Sequence, residues 1–207
     1  MPASPVSARD ERGTIEDVMD LDRPVAMQVA NQVDRAQRYD TTTVRLHWIS
    51  AGIVTTLWAL GQTIDYFPRG APRVSARSAH ILLGASFAML LIWRIQWRLR
   101  RGAKLSQASH GALGAAAKYG HWILYLAMIV TVTLGMANTW IRGDNIAGLF
   151  SIPSLAPGDK ELRALVEDIH GTSANVLLIL AAGHALIALI HRFGLRDQVL
   201  QRMLPRE

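Results

Sequence analysis

Apolar residues fall into four blocks, at 46–67, 78–97, 119–141 and 170–192, divided by charged and turn-forming stretches. Each block holds about 20 residues, which at roughly 1.5 Å per residue covers a hydrocarbon core of about 30 Å. A helix on the surface of a soluble bundle carries one apolar and one polar face. The segments NVLLILAAGHALIALI (175–190) and WILYLAMIVTVTLGMA (122–137) have almost no polar face. The pattern predicts an all-α fold of four membrane-spanning helices rather than a soluble bundle.

Charge sets the orientation. The 207-residue chain has a formal net charge of +6, and the basic residues cluster in particular loops. Arg35, Arg38 and Arg45 precede the first block. Arg94, Arg98, Arg100, Arg101, Lys104 and Lys118 lie around the second connection, and Arg192, Arg196, Arg202 and Arg206 follow the last block. The first connection holds Arg69, Arg73 and Arg77; the third holds Arg142, Lys160 and Arg163, diluted by five acids. The positive-inside rule then puts both termini and the middle loop in the cytoplasm of a multi-pass inner-membrane protein. The basic excess reads as orientation, with lipid as the partner and no nucleic-acid footprint. Trp48, Trp93, Trp97, Trp122 and Trp140 lie near block ends, where indoles settle among headgroups, and only Trp58 is mid-block.

Two segments are of other material. Residues 1–38 read as an acidic, disordered cytoplasmic extension, in preference to a short amphipathic helix near 14–35. They offer no apolar core for a signal peptide, and Met27 is an alternative start. Residues 39–207 form the four-helix domain. Within it, RGDNIAGLFSIPSLAPGDKELRALVEDI (142–169) is turn-rich and then briefly helical over 159–169, long enough to fold over the outer face.

Histidines are the candidate chemistry. The chain has no cysteine, which removes disulfides, thiolate metal sites and cysteine-held iron–sulfur clusters. His170 and His184 are fourteen residues apart on one block; at 100° per residue they share a face, about 21 Å apart along the axis. Under the charge-derived topology, His47 lies on the inner side level with His184. His80 lies on the outer side level with His170. Each pair comes from two helices, and two axial imidazoles on a haem iron give a centre that passes electrons rather than binding oxygen. A zinc or proton transporter is the competing use of intramembrane histidine, but such sites recruit acids, and the blocks contain only Asp65. Gly52, Gly84, Gly171 and Gly183, near these histidines, permit close approach of a helix or a flat cofactor.

The stretches RLHW (45–48), FPRG (67–70), AHILLGASFAMLLIWRIQWRL (79–99), YGHWILYLAM (119–128), WIRGDN (140–145) and HRFGLRDQVLQRMLPR (191–206) resemble the bacterial cytochrome b561 family over essentially everything but the tail. The resemblance implies two b haems stacked across the bilayer, with His47 and His184 on the inner haem iron and His80 and His170 on the outer one. His121 and His191 match family positions that are not axial ligands, and His110 is less clearly placed. The resemblance also implies electron transfer from a periplasmic donor to ubiquinone near the cytoplasmic face. One branch resembles superoxide:ubiquinone oxidoreductase. On that reading Arg69 and Arg142, in the outer loops, steer the superoxide anion. His191, two turns beyond His184, serves the quinone, ahead of Lys118 and His121. The alternative is a cytochrome subunit of a hydrogenase or dehydrogenase.

Overall fold

The computed structural model describes residues 38–102 and 112–204. The acidic extension up to residue 37 and His110 lie outside the described residues. The chain divides after Arg38 into two units, and the helical fold belongs to the second, Tyr39–Glu207.

Among the described residues, four α-helices make the fold: α1 (Thr41–Thr63), α2 (Ala71–Arg100), α3 (Ala112–Arg142) and α4 (Lys160–Phe193). α1 packs along α2 and α3 along α4, with α2–α3 and α1–α4 contacts completing the ring. Three of them, α2, α3 from Gly114 and α4, are long and apolar enough to cross a membrane. α1 has 23 residues, about 34 Å of helix, so it is long enough but less apolar. Its hydroxyls are satisfied internally. Ser50, Thr55, Thr56 and Thr63 each donate to the carbonyl four residues back, which removes most of the cost of placing them in an apolar medium.

The helices begin upstream of the apolar blocks, with a capping residue or turn marking the start of α1, α2 and α4, while α1 ends at Thr63 and gives way to a 3-10 turn (Ile64–Tyr66). Asp40 accepts the Thr43 N–H at 2.9 Å and opens α1 six residues before the first block. Gly70, at φ 98°, makes the turn into α2, with Pro72 in the first turn. Asp159 accepts the Leu162 N–H at 2.9 Å and opens α4. The brief helix expected over 159–169 is therefore the first three turns of α4, since nothing between Asp159 and His170 breaks the ladder. His80 is the tenth residue of its helix and His170 the eleventh, so neither stands at the start.

The α3–α4 connection contains a two-stranded hairpin that the sequence pattern does not predict. β1 (Asn145–Ile146) pairs antiparallel with β2 (Phe150–Ser151). Ala147 (φ 52°) and Gly148 (φ 78°) make its turn, the left-handed pair that matches the twist of a hairpin. The Ser78 hydroxyl of α2 pins it by accepting the Ala147 N–H at 2.8 Å. At the same end, Arg73 clamps the α1–α2 connection by donating to the Asp65 and Phe67 carbonyls.

The opposite end is latched by indoles. Trp97 donates to Asp40 at 3.1 Å, and Trp48 donates to the Met203 carbonyl at 2.7 Å, drawing the C-terminal 3-10 turn (Gln201–Met203) against α1. The buried core, Phe87, Leu91, Met128 and Leu177, lies halfway along the bundle. Leu177 is seven residues from both His170 and His184, so apolar packing separates the two histidine levels.

Candidate functional site

α4 carries one histidine at each level and meets a different helix at each. Toward the hairpin end, His170 faces His80 of α2, with ring centroids 6.2 Å apart and planes at 86°. Toward the opposite end, His184 faces His47 of α1, also at 6.2 Å, with planes at 63°. The structure thus brings together the two pairs expected from depth. Both pairs meet edge-on. Two metal–nitrogen bonds of about 2 Å each, together with the half-widths of the two rings, span about this separation. Among the described residues, no three His, Asp or Glu side chains gather as a metal-binding group.

The ring nitrogens add detail. His170 Nδ1 donates to the Thr131 carbonyl of α3 at 3.2 Å, which fixes the tautomer and leaves the Nε2 lone pair available. His80 Nδ1 is buried without a well-formed hydrogen bond, although the Leu57 carbonyl of α1 lies near enough to interact. The lower level is more crowded. His121 of α3 lies 5.2 Å from His184, centroid to centroid, and its Nδ1 donates to the Ala117 carbonyl at 2.7 Å. Arg94 of α2 donates to His47 Nδ1 at 3.2 Å and lies over the Tyr125 ring. An arginine can only donate, so the His47 proton sits on Nε2. Binding a metal through that nitrogen requires Arg94 to let go.

Glycines frame the space. A Cβ at Gly52, Gly120, Gly171 or Gly183 would meet nothing within 4 Å, so small residues border open surface beside His47, His121, His170 and His184. Two closer approaches leave no trace in the sequence pattern. A Cβ at Gly135 would come within 2.9 Å of His170 Cε1, and one at Gly61 within 3.4 Å of His80 Cε1. The 6.2 Å spacing and these openings fit a flat group with two axial nitrogen positions at each level, with the His170 Nε2 lone pair ready and the His47 one available once Arg94 is displaced. Between the levels, Asn175 accepts from Trp58 at 2.9 Å and Gln62 at 3.2 Å, which explains the one mid-block tryptophan.

At the hairpin end lies a cavity of about 440 Å³ lined by Arg77, Arg142, Asp144, Lys160, Arg163 and Glu167. Arg142 is ion-paired with Glu167 and lies 3.5 Å from Asp144, which is also 3.8 Å from Arg77. Burial pushes the Asp144 carboxyl up from its ordinary value, outweighing the opposing pull of Arg142 and Arg77. Arg69 lies exposed on the α1–α2 turn and does not line this cavity. At the other end, His191 Nδ1 donates to Asp197, a partner that sequence spacing alone does not single out. Lys118 is exposed on the first turns of α3.

Residues 38–206 match the family described as prokaryotic cytochrome b561. The chain belongs to the prokaryotic cytochrome b561 family. Curated relatives agree. Cytochrome b561 homolog 1 of Escherichia coli (strain K12) is 28% identical over 172 residues, 82% of this chain and 98% of the relative. The probable superoxide oxidase CybB of Yersinia pestis is 26% identical over 174 residues, 83% of this chain and 98% of the relative. Cytochrome b562 of Cereibacter sphaeroides is 28% identical over 175 residues, 81% and 96% of the two chains. As a cytochrome b561 this is a membrane helical bundle of the bacterial inner membrane that binds haem b and transfers electrons.

Proposed function

We propose that this cytochrome b561 takes electrons from superoxide in the periplasm and delivers them to ubiquinone near the cytoplasmic face. His80 and His170 hold one haem b, and His47 and His184 hold a second. The observation that carries this reading is the pair of 6.2 Å histidine facings, each spanning two helices and both anchored on α4. Each haem, when bound, supplies a reversible one-electron store. Two superoxide anions lose one electron each to become two molecules of oxygen, and the two electrons with two protons convert the quinone to quinol.

The chain's own residues supply the rest. With the hairpin end outside, as loop charge requires, Arg142 and Arg69 raise the local concentration of a small anion near His170. Arg142 lies within the cavity, and Glu167, three residues before His170 on the same helix, ties that cavity to the outer level. Phe87 and Leu177 keep water out between the levels, so charge crosses as electrons and not as protons. At the inner end, His191 is positioned by Asp197 to pass a proton to the reduced quinone. The name of the Yersinia pestis relative supports superoxide as the donor.

The test is direct. Purified protein is mixed with ubiquinone and an enzymatic superoxide source, and the b-haem bands are followed. Reduction of the haems followed by reoxidation on adding quinone is expected. Arg142→Gln should slow reduction about two- to tenfold at low salt and flatten its ionic-strength dependence, with haem content unchanged. Haems that stay oxidised in superoxide but reduce with a hydrogenase or dehydrogenase would move the protein to the role of an electron-transfer subunit.

A further inference from the structure

The hairpin-end cavity is much larger than superoxide needs. A diatomic anion takes up a volume comparable to the roughly 30 Å³ of one liquid water, whereas this cavity measures about 440 Å³, in the range of small-molecule sites. Its charge is also specific. Four cations, Arg77, Arg142, Lys160 and Arg163, face two carboxylates, Asp144 and Glu167, leaving a formal surplus of two positive charges. Arg163 Nε is buried with no hydrogen-bond partner, a guanidinium nitrogen left unsatisfied where desolvation makes that costly.

The two carboxylates differ. The Asp144 side chain is 10% exposed and held between Arg77 and Arg142, so it is part of the wall. The Glu167 side chain is 49% exposed and rests on Arg142 from the open side. It occupies a guanidinium as an external carboxylate would.

We propose that this cavity binds a small soluble organic dianion of the dicarboxylate class. One carboxylate of the ligand displaces Glu167 from Arg142, and the other is taken by Arg163 and Lys160. The surplus charge matches a dianion, and the planar fork of arginine favours carboxylate over a spherical anion. This site is separate from the haem pairs and does not rest on the superoxide reading.

Isothermal calorimetry tests it, with malonate titrated into the full-length, haem-loaded protein in phosphatidylcholine nanodiscs. Binding with Kd below about 1 mM is expected. Arg163→Gln should weaken it about tenfold or more. Glu167→Gln should bind at least as tightly as the unmodified protein, because its own competitor is gone. Arg100→Gln, which removes the same charge at the far end of α2, should change nothing. A haem spectrum matching that of the unmodified protein verifies that each variant is folded. The proposal is overturned by no heat of binding up to about 10 mM malonate, by equal affinity in Arg163→Gln and Arg100→Gln, or by chloride binding as tightly as malonate. Loss of malonate binding in phosphatidylglycerol nanodiscs also overturns it, since a lipid headgroup then owns the site. The readout is heat, so failure of superoxide to reduce the haems leaves this result standing, and the converse holds too.

Discussion

A histidine inside an apolar bundle is costly unless both ring nitrogens are engaged, and at His80 and His170 the engagement is asymmetric. One nitrogen of His170 is tied to a backbone carbonyl, whereas His80 Nδ1 is buried without a well-formed hydrogen bond. Replacing His184 with alanine should remove the lower haem and spare the upper one; His80→Ala should do the reverse. Pyridine haemochrome assay of each variant should give about half the haem of the unmodified protein. Gly135 gives a sharper test, because no ligand is touched. An alanine methyl there lands 2.9 Å from the His170 ring, tighter than real Cβ contacts allow. The strain should be about 1–3 kcal/mol and should show as loss or spectral perturbation of the upper haem only. The histidine pairs were legible in the sequence because helical periodicity and loop charge together fix depth. Gly135 and Arg94 were not, since contacts between helices depend on rotation about each axis, which a span with no polar face does not record.

At the scale of elements, α4 is the organising rod: a single 34-residue helix carries one histidine of each facing pair, with cavity residues at its start and His191 near its end. The sequence reading makes 159–169 a separate short helix because its charged residues set it apart from the apolar stretch, yet from the Asp159 cap onward the two are one continuous helix. The hairpin after α3 is hidden for a related reason. Two-residue strands leave no period to read, and Ser78, which pins them, is 69 residues from Ala147. The end of α4 is closed by Asp197, whose carboxyl lies below its ordinary range through the hydrogen bond from His191, helped by the Val199 N–H. A carboxylate with a folded-state pKa below its unfolded value stabilises above that unfolded value, about 3.9, and loses the effect as pH falls through the lowered one. The melting difference between the unmodified protein and Asp197→Asn should therefore be present at about pH 5 and vanish in stronger acid. It should stay below about 1 kcal/mol, because the pair faces solvent.

For the described residues from Tyr39 onward, charge asymmetry, helix count and histidine depth agree on one arrangement: a ring of four helices with two facing histidine pairs separated by an apolar core. The first helix is the exception to simple hydropathy. Four of its hydroxyls, at Ser50, Thr55, Thr56 and Thr63, are acceptable because they bond back to its own backbone, a feature invisible to composition. The central claim is that the four imidazoles hold two separate irons. Haem quantification joined to a reduced-minus-oxidised spectrum of the purified chain tests it most directly. Two b haems per polypeptide are expected, reducing in two resolved steps on redox titration. One haem per chain, or none, would contradict the account.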